Sequence, residues 1–339
     1  MRRSVSTIIA AAIVLALSGP GRAASLEKSS LEIGTASLSL TYLPVIIAEK
    51  KGYFKDEGLT VEIAAFSGGS KALEALMGGS LDIVSGAYSN TITMAAKNQA
   101  LVEIVQQIRC PGFAVLLSKG KAAGYKSPAD LKGLNIGVSA PGSSTHMVLN
   151  YILGKNGVKP TEVQVIGVGT SAGAVAAMRA GQIDAIINSD PVLTMLTKSG
   201  AASDIVDMRT PGNSDAVFGG PYPEASVYTT ADFVKKNPNT VQAVVNAVVR
   251  AERWMAKSTP EQIADALPKE YWLGDKALYL EAMGNMRTCY SPDGLMTQQA
   301  AETVRDVLGS FDPNVRAAKI NLEATYDNSF VKRVPADRN

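Results

Sequence analysis

Apolar and polar residues alternate in short stretches along most of the chain after residue 30. In "LTVEIAAF", apolar Leu59, Val61 and Ile63 alternate with polar residues, which predicts a strand with one exposed face. Segments with helical spacing of apolar residues lie between such strands. This order predicts an α/β fold with mainly parallel sheets flanked by helices.

Several predicted helices carry capping signals. The segment 42–51 has Pro44 in its first turn and stops at Gly52, as a capped helix does. "SPADLKG" predicts a helical turn capped by Ser127, which leads into the strand "LNIGVSA". Beyond residue 230 the pattern is helical to about Leu308, and we expect the remaining tail to lie on the surface.

The chain contains an internal repeat. A shift of 102 residues sets "GGSKALEALMGGSLDIV" on "TSAGAVAAMRAGQIDAI" without a gap. The identical pairs are Ala72 with Ala174, Ala75 with Ala177, Gly79 with Gly181 and Asp82 with Asp184. Each copy reads as a loop, a helix, a glycine stop and a strand, so we expect two similar α/β lobes.

Two stretches broken by Pro and Gly, around 101–117 and 203–229, bracket the second copy and look extended. They suggest that one lobe is inserted into the other. We expect the first lobe to cover 24–115, the inserted lobe 116–215, and the return with the C-terminal helices 216–339. Paired connections of this kind form a natural hinge.

The N-terminus has the pattern of a secretory signal peptide over residues 1–23. Arg2 and Arg3 precede the apolar run 8–17, and small residues lead up to Ala23, where we expect cleavage. The arginine pair also fits twin-arginine export, but no larger consensus surrounds it. No cysteine follows the apolar run to carry a lipid anchor, so we expect a free periplasmic protein.

Charge and cysteine content exclude several classes. Cleavage removes three arginines and no acid, so the formal net charge falls from +2 to −1 and gives no argument for nucleic acid. With two cysteines far apart and a single histidine, His146, we expect no metal and no cofactor. Cys110 and Cys289 could pair in an oxidising compartment, but we expect two buried free thiols.

The clearest catalytic candidate is "GTSAG", which fits the G-x-S-x-G elbow between a strand and a helix. With His146, Ser171 would suggest a secreted serine hydrolase. However, His146 precedes Ser171, whereas the elbow fold places its histidine last, and the repeat partner "SGGSK" lacks the motif. Phosphate-loop and dinucleotide fingerprints are absent. We therefore expect no catalytic residue and keep the hydrolase as the less favoured alternative.

The predicted strand ends favour binding. They read "SLTY", "FSGGS", "SGAYSN", "SAPGSSTH", "VGTSAG" and "NSDP", which offer hydroxyls and glycine backbone, with Asp190 as the only charge. In open α/β sheets, ligands bind beyond the carboxyl ends of strands. Neutral donors at helix N-termini suit a small anion, although Ser and Thr can also serve simply as helix caps.

The sequence resembles a known family. "LPVIIAEKKGYFKDEGL", "GGSKALEALMGGSLDIV", "DLKGLNIGV", "GSSTHMVLNYILGKNGV" and "MRAGQIDAIINSDP" are similar, in this order, to the nitrate, sulfonate and taurine type of periplasmic solute-binding protein. The resemblance implies a two-lobe type II periplasmic binding fold that closes on a small solute. It also implies delivery to an ABC transporter permease in the inner membrane, and we expect a monomer.

Carried over residue by residue, the resemblance implies a pocket formed by both lobes. Its residues would be Ser39, Thr41, Tyr42, Ser67, Gly68, Ser85 and Tyr88 from the first lobe, and Ser143, Ser144, Thr145, His146, Asn188 and Asp190 from the inserted lobe. The expected solute is a small organic or inorganic anion, such as a sulfonate, nitrate, taurine or a carboxylate. The alternative is a neutral, pyrimidine-like ring stacked by Tyr42, Tyr88 and Tyr222.

Overall fold

The computed structural model describes residues 25–336, and the predicted signal peptide lies outside this range. Within it, the chain forms two five-stranded sheets. The first sheet contains β1 (Ser30–Thr35), β2 (Thr60–Ala65), β3 (Ile83–Ala87), β4 (Leu101–Gln106) and β10 (Ala225–Thr230). The second contains β5 (Phe113–Ser118), β6 (Asn135–Val138), β7 (Gln164–Gly167), β8 (Ala185–Ser189) and β9 (Ala202–Asp207).

The two sheets have the same topology. Their strand orders are β2-β1-β3-β10-β4 and β7-β6-β8-β5-β9, and the fourth strand of each runs antiparallel to its neighbours. The bounds of β3 and β8 differ by 102 residues, which is the shift of the sequence repeat. The two similar lobes expected from the repeat are therefore confirmed. We call each sheet with its flanking helices the first and the second lobe.

Helices flank the two sheets. Between residues 25 and 200 the helices are α1 (Leu43–Lys50), α2 (Tyr53–Asp56), α3 (Gly69–Met77), α4 (Ser89–Ala95), α5 (Lys119–Ala122), α6 (Ser144–Lys155), α7 (Ala172–Arg179) and α8 (Val192–Lys198). The later helices are α9 (Pro211–Phe218), α10 (Ala231–Lys236), α11 (Pro238–Lys257), α12 (Pro260–Asp265), α13 (Lys276–Met286), α14 (Gln298–Phe311), α15 (Pro313–Ala317) and α16 (Ser329–Lys332). Short 3-10 turns lie at Leu40–Tyr42, Pro128–Leu131, Pro160–Glu162, Lys269–Trp272, Arg287–Cys289 and Leu322–Ala324. No helix among the described residues is both long and apolar enough to cross a membrane.

The chain crosses between the sheets twice, at 107–112 and at 208–224. Both crossings lie inside the predicted hinge segments, but the second contains α9, so the expectation of extended chain there is wrong. Thr210 accepts a hydrogen bond from the Asn213 N–H, and Pro211 occupies the first helical turn. Pro and Gly thus start and end a helix here. Because the expected boundaries at 115 and 215 fall inside β5 and α9, we propose that the lobes divide at the crossings instead.

The C-terminal segment packs against both lobes. Helix α11 packs on α1 in the first lobe, while α14 packs on α4 of the first lobe and α6 of the second. Beyond Leu308, the side chains of Val315, Phe330, Val331 and Val334 are buried in the two main cores. The expectation that this tail lies on the surface is therefore wrong.

Cys110 and Cys289 form a disulfide, so the expectation of two free thiols is also wrong. Cys110 lies in the first crossing, and Cys289 follows α13. Residues 108 and 290 pair as an antiparallel bridge, and the Arg109 N–H donates to the Cys289 carbonyl. These contacts bring the C-terminal segment back to the crossing.

Candidate functional site

The strand ends of the two lobes meet in a narrow space, which we call the inner cavity. Both lobes contribute hydroxyl-bearing side chains to its lining: Ser37, Tyr42, Ser139, Ser144, Thr145, Thr170 and Ser189, and Gly68 lies beside them. The space measures about 10 Å³, which is barely enough for one water molecule. The two lobes are therefore closed on each other.

Direct contacts hold the lobes together. The Ser143 Oγ accepts from the Ser70 N–H at 3.1 Å, and the Ser70 hydroxyl donates to the Pro141 carbonyl at 3.1 Å. A Cβ added at Gly68 would lie 2.7 Å from the Ala140 Cβ and 2.8 Å from the Ser143 Oγ. Such distances are shorter than normal van der Waals contact, so any larger side chain at position 68 would oppose this closed arrangement.

Helix α6 begins at the inner cavity as predicted. Its chain reverses at Pro141 and Gly142, where Gly142 has a φ of 81°, and Ser143 occupies the N-cap position. The Thr145 Oγ1 accepts from the Ser139 N–H at 3.1 Å, which ties the helix start to the end of β6. The first-turn N–H groups of a helix have no carbonyl within it to bind, so the start of α6 presents donors to this space.

Helix α3 also begins here, with Gly69 in the lining. Two helix N-termini, of nine and twelve residues, therefore face the inner cavity from opposite lobes. The positive ends of both helix dipoles favour a negative or strongly accepting group.

His146 supports the turn before α6. Its Nδ1 accepts from the Gly142 N–H at 3.0 Å, and burial lowers the pKa of the half-buried imidazole, which favours the neutral form. His146 does not line the inner cavity, and Ser171 is exposed at the start of α7.

A buried carboxyl, Glu224, lies behind the inner cavity and was not anticipated from the sequence. The Tyr42 hydroxyl donates to the Glu224 Oε1 at 3.1 Å, whereas Oε2 has no partner at hydrogen-bonding distance among the described residues. Burial raises the pKa of Glu224 to about 7, against the opposing effect of the nearby hydroxyls of Ser144 and Tyr42. The sequence signal that could have revealed Glu224 is a charged residue directly before the start of a buried strand, in "PYPEASV".

Asp190 is buried in the second lobe and does not line the inner cavity. Its Oδ1 accepts from the Thr194 N–H at 2.9 Å and hydroxyl at 2.7 Å, and its Oδ2 lies 3.5 Å from an Arg209 nitrogen. Arg209 also pairs with Asp204 and Asp207. The charge of Asp190 is thus neutralised within the lobe.

The remaining predicted residues divide between positioning and core roles. Asn188 donates to the Gly169 carbonyl at 2.9 Å and shapes the loop after β7. The Ser85 Oγ accepts from Gln107 at 2.9 Å, and Ser39 accepts from Ser37 at 2.8 Å.

Thr41 and the two other predicted stacking tyrosines are also buried away from the cavity lining. The Thr41 Oγ1 has no hydrogen-bond partner among the described residues. Tyr88 is fully buried with its hydroxyl 2.6 Å from Thr325, and Tyr222 stacks on Phe218 at 4.1 Å in the same core. Of the three predicted stacking tyrosines, Tyr42 lines the inner cavity and the other two lie in the core.

A second space, which we call the outer cavity, measures about 270 Å³. Its lining includes Leu38, Phe66, Ser67, Thr170, Ser171, Pro191, Glu270, Tyr271 and Leu273. Thr170 lines both cavities, so they adjoin at this residue. Among the described residues, no group of three His, Cys, Asp or Glu side chains is placed to hold a metal ion.

Comparisons with known proteins agree with this architecture. Residues 24–267 match the NMT1-like family. A solved structure from Bordetella bronchiseptica RB50 is 48% identical, with a TM-score of 0.89, and the match covers 91% of this chain and 98% of that one. The alkanesulfonate-binding protein SsuA from Xanthomonas axonopodis pv. citri, bound to MOPS, shares the fold at 20% identity, with a TM-score of 0.68 and coverage of 89% and 100%.

Among curated relatives, the nitrate/nitrite binding protein NrtA of Nostoc sp. is 25% identical over 236 residues, which is 63% of this chain and 51% of that protein. SsuA and NrtA are both named as binding proteins. The two closed lobes with a polar cavity between them agree with the match over residues 24–267, and the chain belongs to the NMT1-like family.

Proposed function

We propose that this protein captures a small organic anion by its anionic head in the inner cavity. The observation that carries the proposal is the meeting of two helix N-termini, α3 and α6, at a space lined by hydroxyls. Backbone N–H groups and the hydroxyls of Ser144 and Thr145 would donate to the head. Since the closed cavity measures only about 10 Å³, the lobes must part at the two crossings to admit it.

We further propose that the protein delivers its solute to an ABC permease. The predicted signal peptide would place the protein in the periplasm, and the closed form would present the solute to an ABC permease in the inner membrane. SsuA and NrtA are named as alkanesulfonate-binding and nitrate/nitrite-binding proteins, which supports an anion as the solute.

Glu224 favours a second candidate, a neutral heteroaromatic solute with N–H groups. Its Oε2 is buried without a partner, and an ionised carboxylate would accept from such a donor. In contrast, a protonated Glu224 would itself donate to an anion. The two candidates therefore require opposite protonation states of the same side chain.

A thermal-shift screen with methanesulfonate, taurine, nitrate, bicarbonate, benzoate and 4-aminopyrimidine tests the solute class. A ligand at 100 times its dissociation constant stabilises the fold by about 2.7 kcal/mol. For the compound that binds, calorimetry on Ser144→Ala should show affinity weakened by about ten- to a hundredfold, the value of one hydrogen bond to a charged group. Unchanged affinity would refute the placement of the head.

The pH dependence separates the two candidates. For an anion, binding requires protonated Glu224, so affinity should fall by about tenfold per pH unit above 7, where the free carboxyl ionises. Glu224→Gln, which keeps a donor, should remove this slope without weakening binding. For a heteroaromatic donor, affinity should instead rise through pH 7, and Glu224→Gln should weaken it.

A further inference from the structure

Another cavity is separate from the inner and outer cavities. It measures about 290 Å³ and is lined by residues of α11, α12, α13 and the segment 287–292, and we call it the C-terminal cavity. None of its lining residues lines the inner or the outer cavity. Because a cavity of about 150 Å³ already holds benzene, the C-terminal cavity is large enough for a small organic molecule.

The wall of this cavity contains a buried carboxyl group. Glu252 is 3% exposed, and neither of its carboxyl oxygens has a hydrogen-bond partner among the described residues. Burial raises the pKa of Glu252 well above its usual range, and the charges of Asp293 and Glu103 add to this effect against that of Arg253. A buried polar group without a partner costs free energy, which a donor on a bound molecule would recover. An ammonium group suits this wall, because it donates up to three hydrogen bonds and favours the ionised carboxylate.

A side chain of opposite charge lines the same cavity. One nitrogen of Arg287 donates to the Ser258 carbonyl at 2.7 Å, and Arg287 forms no ion pair within the described part of the chain. Glu252 and Arg287 therefore line one cavity without bonding to each other. A guanidinium group binds a carboxylate through two parallel hydrogen bonds. The two charges suit a molecule that carries both an ammonium group and a carboxylate.

The rest of the lining is largely apolar. It includes Met255, Ala256, Ile263, Met283 and Pro292. Methionine side chains are flexible and fill space around irregular shapes. These walls suit a hydrocarbon side chain on the same molecule.

We propose that the C-terminal cavity is a second binding site, specific for a free α-amino acid with an apolar side chain. The ammonium group of the amino acid donates to Glu252, its carboxylate accepts from Arg287, and its side chain packs on the apolar walls. This site lies apart from the inner cavity and does not depend on the function proposed for that cavity.

Calorimetric titration of the mature protein with leucine tests the site. Isopentylamine lacks the carboxylate of leucine, and isocaproate lacks its ammonium group. Each should bind about ten- to a hundredfold more weakly than leucine, because it loses the hydrogen bonds to one charged side chain.

Variants assign the two charges of the ligand. Glu252→Gln should weaken leucine binding by about ten- to a hundredfold and leave isocaproate binding unchanged. Arg287→Gln should weaken leucine binding to a similar extent and leave isopentylamine binding unchanged. Glu103→Gln is the matched control and should bind leucine as the wild type does. Glu103 is also buried, with both carboxyl oxygens unpartnered among the described residues, but it does not line the cavity.

Several outcomes would overturn the proposal. Leucine binding that is weakened by Ser144→Ala and unchanged in Glu252→Gln would place leucine in the inner cavity. Equal weakening by Glu103→Gln and Glu252→Gln would show a general effect of buried charge and no contact with the ligand. The absence of binding by leucine, methionine and phenylalanine, in calorimetry and in thermal-shift assays, would also refute the site. If Glu252→Gln fails to fold, the order of the three ligands in the wild type and in Arg287→Gln decides.

Discussion

Position 68 allows the closed state to be perturbed without changing the fold. Gly68 has a φ of 174°, which is extended backbone that any residue adopts, so Gly68→Ala introduces no backbone strain. The three atoms nearest to the added Cβ all belong to the second lobe: the Ala140 Cβ at 2.7 Å, the Ser143 Oγ at 2.8 Å and the Ala140 N at 3.2 Å. Alanine at position 68 should therefore oppose closure of the lobes without changing the fold.

The magnitude follows from these distances. Overpacking by one methyl group in a tight contact costs about 1–3 kcal/mol. If the lobes part in the free protein, this cost applies only to the closed, solute-bound state, so the dissociation constant should rise by about 5- to 150-fold. The Tm of the solute-free protein should be unchanged or slightly higher, because alanine reduces the entropy of the unfolded chain.

Calorimetric titration, thermal unfolding and small-angle scattering together measure these effects. Wild-type protein should become more compact on saturation with the solute found in the screen, and Gly68→Ala should compact less. Gly124→Ala is the matched control, because a Cβ there meets nothing within 4 Å and its φ lies outside the left-handed region.

One combination of results would refute the reasoning. If Gly68→Ala lowered the Tm of the solute-free protein while affinity and radius stayed at wild-type values, the Gly68 contact would be part of the resting fold. The closed arrangement would then not depend on the solute.

Three further predictions concern the surroundings of the site. Because the folded pKa of Glu224 is about 7, its contribution to stability is present below its usual pKa of 4.5 and is lost as pH rises through 7. The free energy of urea unfolding of the wild type should therefore fall by roughly 3 kcal/mol over this pH range, and Glu224→Gln should remove that fall. An unchanged pH dependence in Glu224→Gln would contradict the assignment. Replacing both Cys110 and Cys289 by serine should cost about 2–5 kcal/mol, because the bridge closes a loop of 179 residues, and wild-type protein in reductant should match the variant. His146→Ala should cost about 1 kcal/mol through the Gly142 turn and leave solute affinity at the wild-type value, with a tenfold loss of affinity counting against a purely structural role.

Much of the fold could be predicted from the sequence because its signals are local. Alternation in "LTVEIAAF", the proline at position 44 and the turn before Ser144 each act within a few residues, and the structure places β2, α1 and α6 there. The repeat predicted two similar lobes, since equal patterns of strand and helix fold to equal topologies. The start of α6 at a strand end also located the inner cavity, where Ser144 and Thr145 lie.

The tertiary structure alone decided which polar groups meet. Cys110 and Cys289 are 179 residues apart, and Tyr42 reaches Glu224 across 182 residues, so no local pattern relates them. Asp190 shares the strand-end position of the site residues, yet Arg209 and Thr194 draw its carboxylate into the second lobe. A strand end determines where a residue lies along the chain, whereas the direction of its side chain depends on partners that only the folded chain brings within reach.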